Sequence, residues 1–215
     1  MNPDRVQIVR SGPNLERLKA AAGNTKYKKG RNFLIGYIGV IGEQEGMDIL
    51  LESIKYIISE RNDVQFAIIG GGTGLKKAKE MAALSKLDDY IDFYGMVTED
   101  ELLLEIINTA DVCVSPDKPT EMNNISTMNK VMEYMAVKKP IVQYDLKENR
   151  FSAQDASLYA VNTDPIDFAD KIIWLLDRPD ERATMGEFGY NRVLNELSWK
   201  YESQKLLSFY NKVFK

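Results

Sequence analysis

The sequence predicts an α/β fold: a doubly wound parallel sheet followed by one extra C-terminal helix. From about Phe33 onward, short apolar runs alternate with amphipathic stretches, the pattern of repeated strand-helix units. Between the first two runs, Ile49, Leu50, Ser53, Ile54 and Ile57 recur at helical spacing while Glu52, Lys55 and Glu60 lie off that stripe, so this connection is a helix with one buried face. A chain of 215 residues, 44% of them hydrophobic, is long enough to bury a core around such a sheet.

Residues 1–30 hold Val6-Gln7-Ile8-Val9, the turn Ser11-Gly12-Pro13-Asn14 and a polar tract ending Lys26-Tyr27-Lys28-Lys29-Gly30. They carry too little apolar content for a domain and read as an entry segment and linker. Residues 31–198 form the sheet domain, with strands expected over 34–39, 64–69, 91–94, 112–115, 140–143 and 158–161. Further helices are expected over 75–84, 99–108, 127–137 and 166–176, each joined to its strand by a short loop. In residues 199–215, Trp199, Leu206, Tyr210 and Val213 or Phe214 fall near one helical face beyond the last sheet unit, and such a helix needs another surface to cover.

The chain has no histidine, which excludes Ser/His/Asp triads, Cys/His dyads and His-ligated metal sites, and no metal is expected. Asp/Glu/Lys chemistry, or binding and positioning alone, is what is left. The balance of 28 basic against 32 acidic residues argues against a nucleic-acid partner held through the whole surface. The single cysteine, Cys113, sits in the apolar run Ala110-Asp111-Val112-Cys113-Val114 and reads as a small core residue. No apolar run approaches the roughly 20 residues needed to span a bilayer, and a soluble protein in a reducing, cytoplasmic setting is expected.

Four loops at the expected carboxyl ends of strands carry the candidate chemistry. Gly36-Tyr37-Ile38-Gly39-Val40-Ile41-Gly42 leads to Glu43-Gln44-Glu45-Gly46; its glycines allow a close approach to a phosphate, and they equally suit a tight strand-to-helix turn. Gly70-Gly71-Gly72-Thr73-Gly74 makes room for a ligand at the sheet's crest, with Lys76, Lys77 and Lys79 on a solvated helix face. In Tyr94-Gly95-Met96-Val97-Thr98-Glu99-Asp100-Glu101, Thr98 is the expected helix N-cap with Glu101 closing a capping box, or the loop's amides read a base edge. Around the helix after Ser126, Met128, Val131, Met132 and Met135 form an apolar face opposite Lys130 and Glu133. Those two read as a solvent-facing ion pair or as a phosphate and ribose site, the second supported by a surplus of capping groups in Asn123, Asn124, Ser126 and Thr127.

The order of motifs resembles one family over nearly the whole chain. Val9-Arg10-Ser11-Gly12-Pro13-Asn14, Gly36-Tyr37-Ile38-Gly39 with Gly46-Met47-Asp48-Ile49-Leu50, and Ile69-Gly70-Gly71-Gly72 come first. Phe93-Tyr94-Gly95-Met96-Val97, Ala110 to Pro116, and Lys130-Val131-Met132-Glu133-Tyr134-Met135-Ala136 before Lys139-Pro140-Ile141-Val142 follow. The series is similar to the C-terminal, donor-binding half of a GT-B glycosyltransferase of family 4. The resemblance implies a Rossmann-like domain that binds a UDP- or GDP-linked sugar as substrate, with no separate cofactor. It places Glu133 on the ribose; from the loops described above, Met96 and Val97 are expected on the base through their backbone, and Gly39, Gly42, Gly71 and Gly72 where the backbone approaches the ligand. Three departures stand out. The family's earlier glutamate falls at Ile125, with Glu121 outside the required spacing, and its arginine and lysine for the diphosphate fall at Val40 and Glu45. The phosphate charge then passes to Lys130 and the amides around Ser126 and Thr127.

The resemblance further implies that residues 199–215 cross to a preceding N-terminal acceptor domain, that this half is inactive alone, and that any membrane contact comes through the other half. The expected function is the donor-binding half of a retaining glycosyltransferase in glycan or surface polysaccharide synthesis. The alternative is a non-catalytic nucleotide- or protein-binding module of the same fold. A more distant third reading is another nucleotide-dependent enzyme of doubly wound fold, such as an epimerase or a dehydrogenase; the dehydrogenase is disfavoured, because no glycine fingerprint is followed by an acidic residue at the right distance.

Overall fold

The computed structural model describes residues 6–161 and 163–214; the first five residues of the expected entry segment, Asn162 and Lys215 lie outside them. Six strands, β1 (Phe33–Ile38), β2 (Val64–Ile69), β3 (Ile91–Gly95), β4 (Val112–Ser115), β5 (Ile141–Tyr144) and β6 (Ser157–Ala160), form one sheet in the order β3-β2-β1-β4-β5-β6. Every neighbouring pair is parallel. Such strands are covered on both faces, which is why β2 reads Val-Gln-Phe-Ala-Ile-Ile and is buried at every position. The strand order reverses between β1 and β4, and the crevice at their carboxyl ends is where open α/β sheets receive ligands.

One face packs α1 (Met47–Glu60), α2 (Leu75–Leu84) and α7 (Pro165–Leu176) through Leu50, Ile54, Ala78, Phe168 and Ile172. The other packs α3 (Asp100–Thr109) and α5 (Asn129–Ala136) through Leu103, Ile106, Val131, Met132 and Met135. Leu18 and Tyr27 of the entry segment are buried in that second cluster, and Cys113 is fully buried there, its thiol pushed up to about 12 by burial.

Two short helices, α4 (Glu121–Ile125) and α6 (Lys147–Ala153), flank the loops around β5. A longer one, α8 (Pro179–Arg192), runs into a π-helical turn over Val193–Leu197. No helix was expected over 177–198, and the packing of α8 explains the difference. Beside Met185 and Arg192, its buried face consists of glycines: a Cβ on Gly186 would lie 2.3 Å from the Lys138 carbonyl oxygen, and one on Gly189 would lie 3.0 Å from Ala156 and Met135. A helix that packs by close backbone approach shows no apolar stripe. The expected Thr98 capping box does not form, because α3 starts later, with Glu99 at the N-cap and no side-chain cap.

The last helix, α9 (Trp199–Val213), buries only Glu202, and leaves Trp199, Leu207, Tyr210 and Val213 exposed. The Glu202 carboxylate accepts from the Arg10 amide at 2.9 Å, which ties α9 to the entry segment. Nearby, a Cβ on Gly12 would lie 2.3 Å from the Trp199 nitrogen, so this corner requires glycine. Among the described residues, no helix is long and apolar enough to cross a membrane.

The switch point is pinned by one buried hydroxyl. Tyr134 Oη accepts from the Ile38 amide at 2.7 Å and donates to the Val114 carbonyl at 3.2 Å, joining the ends of β1 and β4 to α5. Tyr134→Phe should cost about 1–3 kcal/mol in urea denaturation, because it strands a buried amide.

Candidate functional site

The crest of the sheet is built from two glycine loops that clasp each other. Gly39 donates to the Ile69 carbonyl at 3.0 Å, Ile41 to Gly71 at 2.8 Å and Gly74 to Ile41 at 2.8 Å. This clasp accounts for two of the glycines: a Cβ on Gly70 would lie 1.7 Å from the Gly39 oxygen, and one on Gly72 would lie 2.5 Å from the Ile41 oxygen. At Gly42 the space is taken by the Glu45 carboxylate, 2.6 Å from where a Cβ would stand. Gly71 differs from all of these. Its backbone is not in the left-handed region, and a Cβ there would meet only the Met96 side chain, at 3.6 Å.

That unfilled space belongs to a cavity of about 200 Å³ over the ends of β1 and β2, lined by Gly39, Val40, Gly71, Met96, Val97 and Leu103. The structure thus brings together Gly39, Gly71, Met96 and Val97, four of the residues singled out from sequence. A second cavity, of about 240 Å³, lies between α5 and the entry segment and is lined by Ser11, Gly12, Asn14, Arg17, Asn129 and Glu133, among others. Burial pushes the Glu133 carboxyl up, with the Arg17 charge opposing and Asp100 adding to the rise.

Lys130 and Glu133 do not pair with each other, and Lys130 is not solvent-facing. The Lys130 ammonium is bound by both carboxylate oxygens of Asp117, at 2.8 and 2.7 Å, and lies 5.0 Å from the centre of the Tyr37 ring. Ser115 Oγ donates to the same carboxylate. The reason is geometric: helical side chains lean toward the N-terminus, which carries Lys130 to the end of β4 while Glu133, one turn on, faces the entry segment.

The surplus of capping groups also finds internal partners. Asn123 Nδ2 donates to the carbonyls of Lys118 and Gln44 at 2.9 and 3.2 Å, Asn124 Nδ2 donates to that of Thr120 at 3.0 Å, and Ser126 Oγ donates to that of Met122 at 2.7 Å. Thr127 Oγ1 donates to Glu148 at 3.4 Å, whose carboxylate Arg10 holds through Nε and Nη2 and keeps below the usual carboxylate range. The N-cap of α5 is therefore Met128, with no side-chain cap.

Two residues that the sequence reading passed over stand in the site. Asp117 follows β4 at the switch point, as its place just after Ser115-Pro116 signals. Arg17 sits on a turn fixed by Asn14, whose Oδ1 accepts from the Glu16 amide at 2.9 Å; it gave no signal because its segment reads as a linker. Where the family resemblance would place cations, Val40 is exposed at the rim of the first cavity and Glu45 covers Gly42. Ile125, at the position of the earlier glutamate, is exposed on α4. Among the described residues, no group of three His, Cys, Asp or Glu side chains is placed to hold a metal ion.

The family model described as glycosyl transferases group 1 matches residues 32–178. The chain belongs to this family. It is 25% identical over 213 residues to an uncharacterised glycosyltransferase of Methanocaldococcus jannaschii, a match covering 98% of this chain and 54% of the relative. It is also 25% identical over 204 residues to the capsular polysaccharide biosynthesis glycosyltransferase CapM of Staphylococcus aureus, covering 86% of this chain and 47% of that protein. The group 1 chain therefore spans about half the length of the curated relatives it matches. Among solved structures, Anabaena Alr3699/HepE in complex with UDP and glucose superposes with a TM-score of 0.81 at 13% identity, over 96% of this chain and 57% of that one. At that identity the match speaks for the fold, one Rossmann-like half of the GT-B architecture.

Proposed function

We propose that this chain is the nucleotide-sugar-binding half of a retaining glycosyltransferase that acts in glycan or surface polysaccharide synthesis. The observation that carries the proposal is Gly71, a crest glycine that neither its backbone angle nor a backbone neighbour requires, opening a cavity beside Met96 and Val97. The base occupies that cavity against the backbone of Met96 and Val97, with Gly39 and Gly71 permitting the approach. Glu133 takes the ribose diol in the neighbouring cavity, since a carboxylate accepts from both hydroxyls. The diphosphate lies toward Lys130 and the amides around Ser126 and Thr127, at the uncapped start of α5. Gly42 and Gly72 serve the loops' own packing and support the site from behind. Support also comes from a structural neighbour with UDP and glucose bound and from a relative named for capsular polysaccharide biosynthesis.

Transfer in this reading is mainly electrostatic, the site stabilising the departing diphosphate while the sugar passes to an acceptor hydroxyl. The acceptor comes from an N-terminal domain of the full protein, which also covers the apolar side chains that α9 leaves exposed. The protein works in the cytoplasm, with any contact to the inner membrane face made through that other domain.

Calorimetric titration with UDP, GDP and their sugars tests the proposal. One of the nucleotides should bind, and Glu133→Ala should weaken it about tenfold or more, as expected for lost hydrogen bonds to a charged group. Affinity should also fall on acidification. Glu133 binds the diol as carboxylate, and burial raises its pKa, so protonation and weakening begin at a higher pH than for an exposed glutamate. Absence of any nucleoside diphosphate binding, or an indifferent Glu133→Ala protein, would sink the donor site. The non-catalytic alternative is favoured by one observation, the lack of cations at Val40 and Glu45; sugar transfer by the full-length protein decides between the two.

A further inference from the structure

The anionic diphosphate of a sugar nucleotide needs a cation whose charge is still available. Lys130 is poorly suited to be the only one, because both Asp117 oxygens already hold its ammonium and the pair is almost sealed, with side-chain exposures of 9% and 3%. A buried pair of this kind resists partner exchange, since breaking it strands a charge away from water. The two positions where the family resemblance would place cations hold Val40 and Glu45, and Lys118, near the first glycine loop, is bound to Asp48 at 2.8 Å.

Arg17 differs from Lys130. Its guanidinium pairs with Asp100 at 2.9 Å, and both side chains are open to solvent, at 40% and 55% exposure. Exposed pairs contribute little to stability and exchange partners readily. The residue lines the same cavity as Glu133 and Asn129, although it comes from the opposite wall. Its backbone is held by bonds from the Arg17 and Leu18 amides to the Asn14 carbonyl, at 3.2 and 3.0 Å, and Leu18 is anchored in the core. The cation is thus carried on a fixed turn while its side chain remains free to turn from Asp100 to a ligand. A guanidinium also offers two parallel donors, which match phosphate oxygens better than an ammonium does.

We infer that Arg17 is a phosphate-binding residue of the donor site, leaving Asp100 to pair with the nucleoside diphosphate when the nucleotide seats its ribose on Glu133. Through Arg17 the entry segment becomes part of the site. The inference rests on the donor-site reading above, and it assigns to this chain a cation that replaces those absent at Val40 and Glu45.

The test compares each nucleoside diphosphate with its parent nucleoside, UDP with uridine and GDP with guanosine, on the wild-type chain and on Arg17→Gln, Arg17→Lys and Asp100→Asn. Arg17→Gln should lower diphosphate affinity about tenfold and leave nucleoside affinity unchanged. Arg17→Lys should retain part of the difference, and Asp100→Asn should strengthen diphosphate binding by removing the competing carboxylate. The salt dependence of diphosphate binding should become shallower in Arg17→Gln. If the wild-type chain binds a diphosphate and Arg17→Gln keeps the same preference over the nucleoside, the inference is overturned while the donor site stands. If the wild-type chain binds neither diphosphate, the donor site and the inference fall together.

Discussion

Asp117→Ala is expected to lower the stability of the fold by about 3–5 kcal/mol, the usual cost of breaking a buried pair by removing one partner. The substitution leaves the Lys130 ammonium at the switch point among Tyr37, Gly39 and the end of β4, with its counterion gone and little water to replace it. The Ser115 hydroxyl loses its acceptor at the same time. Urea denaturation should show a lower midpoint at unchanged slope, since the surface exposed on unfolding is the same. Adding Lys130→Met should recover most of the loss, because an apolar side chain of similar length needs no counterion. A loss below about 1 kcal/mol would mean that the pair behaves as a solvated surface pair. Lys130 would then be open to ligands, and the case for Arg17 as the available cation would weaken.

Both ends of β2, β4 and α2 agree with the ranges read from sequence, and the physical reason is shared. Each is a compact run whose periodicity is uninterrupted and whose flanks are turn residues, so local pattern and final burial coincide. The first strand ends at Ile38, one residue before its expected end: the Gly39 amide makes a last bond to the Ile69 carbonyl of β2, and the chain then turns so that the Ile41 amide clasps Gly71 of the other glycine loop. That clasp is a contact between distant segments, which periodicity cannot report. The same limit explains the site. A helical wheel puts Lys130 and Glu133 on one side of α5, but their partners, Asp117 and Arg17, are set by the tertiary path of the loop after β4 and of the entry segment. Tyr134 illustrates the same limit: it stands in the motif run with no role of its own, yet its hydroxyl is what joins the strands. The motif order made Glu133, Gly39, Gly71, Met96 and Val97 legible, and the cavities gather those residues from three separate loops and α5. What motif order could not reveal is which charges were already spent on the protein itself.

The paired substitutions Gly70→Ala and Gly71→Ala should separate the glycines that hold the crest together from the one that leaves room for a ligand. Gly70 has φ +145, a region that side chains rarely adopt, and its Cβ would stand 1.7 Å from the Gly39 carbonyl oxygen. No rotamer relieves a contact between two backbones, so the loop after β1 must shift and its bonds to Ile69 and Gly71 must lengthen. The combined strain and overpacking should cost roughly 2–5 kcal/mol. At Gly71 an added methyl meets only the Met96 side chain, 3.6 Å away, and stability should stay within about 0.5 kcal/mol of wild type. The methyl nonetheless projects into the cavity of about 200 Å³ beside Met96 and Val97, so nucleoside affinity should fall in a protein that is otherwise intact. Denaturation curves and uridine or guanosine titrations on both variants read the two effects separately. A Gly71→Ala protein that binds the nucleoside as well as wild type would remove the base from this cavity and leave Gly71 without a role in the site.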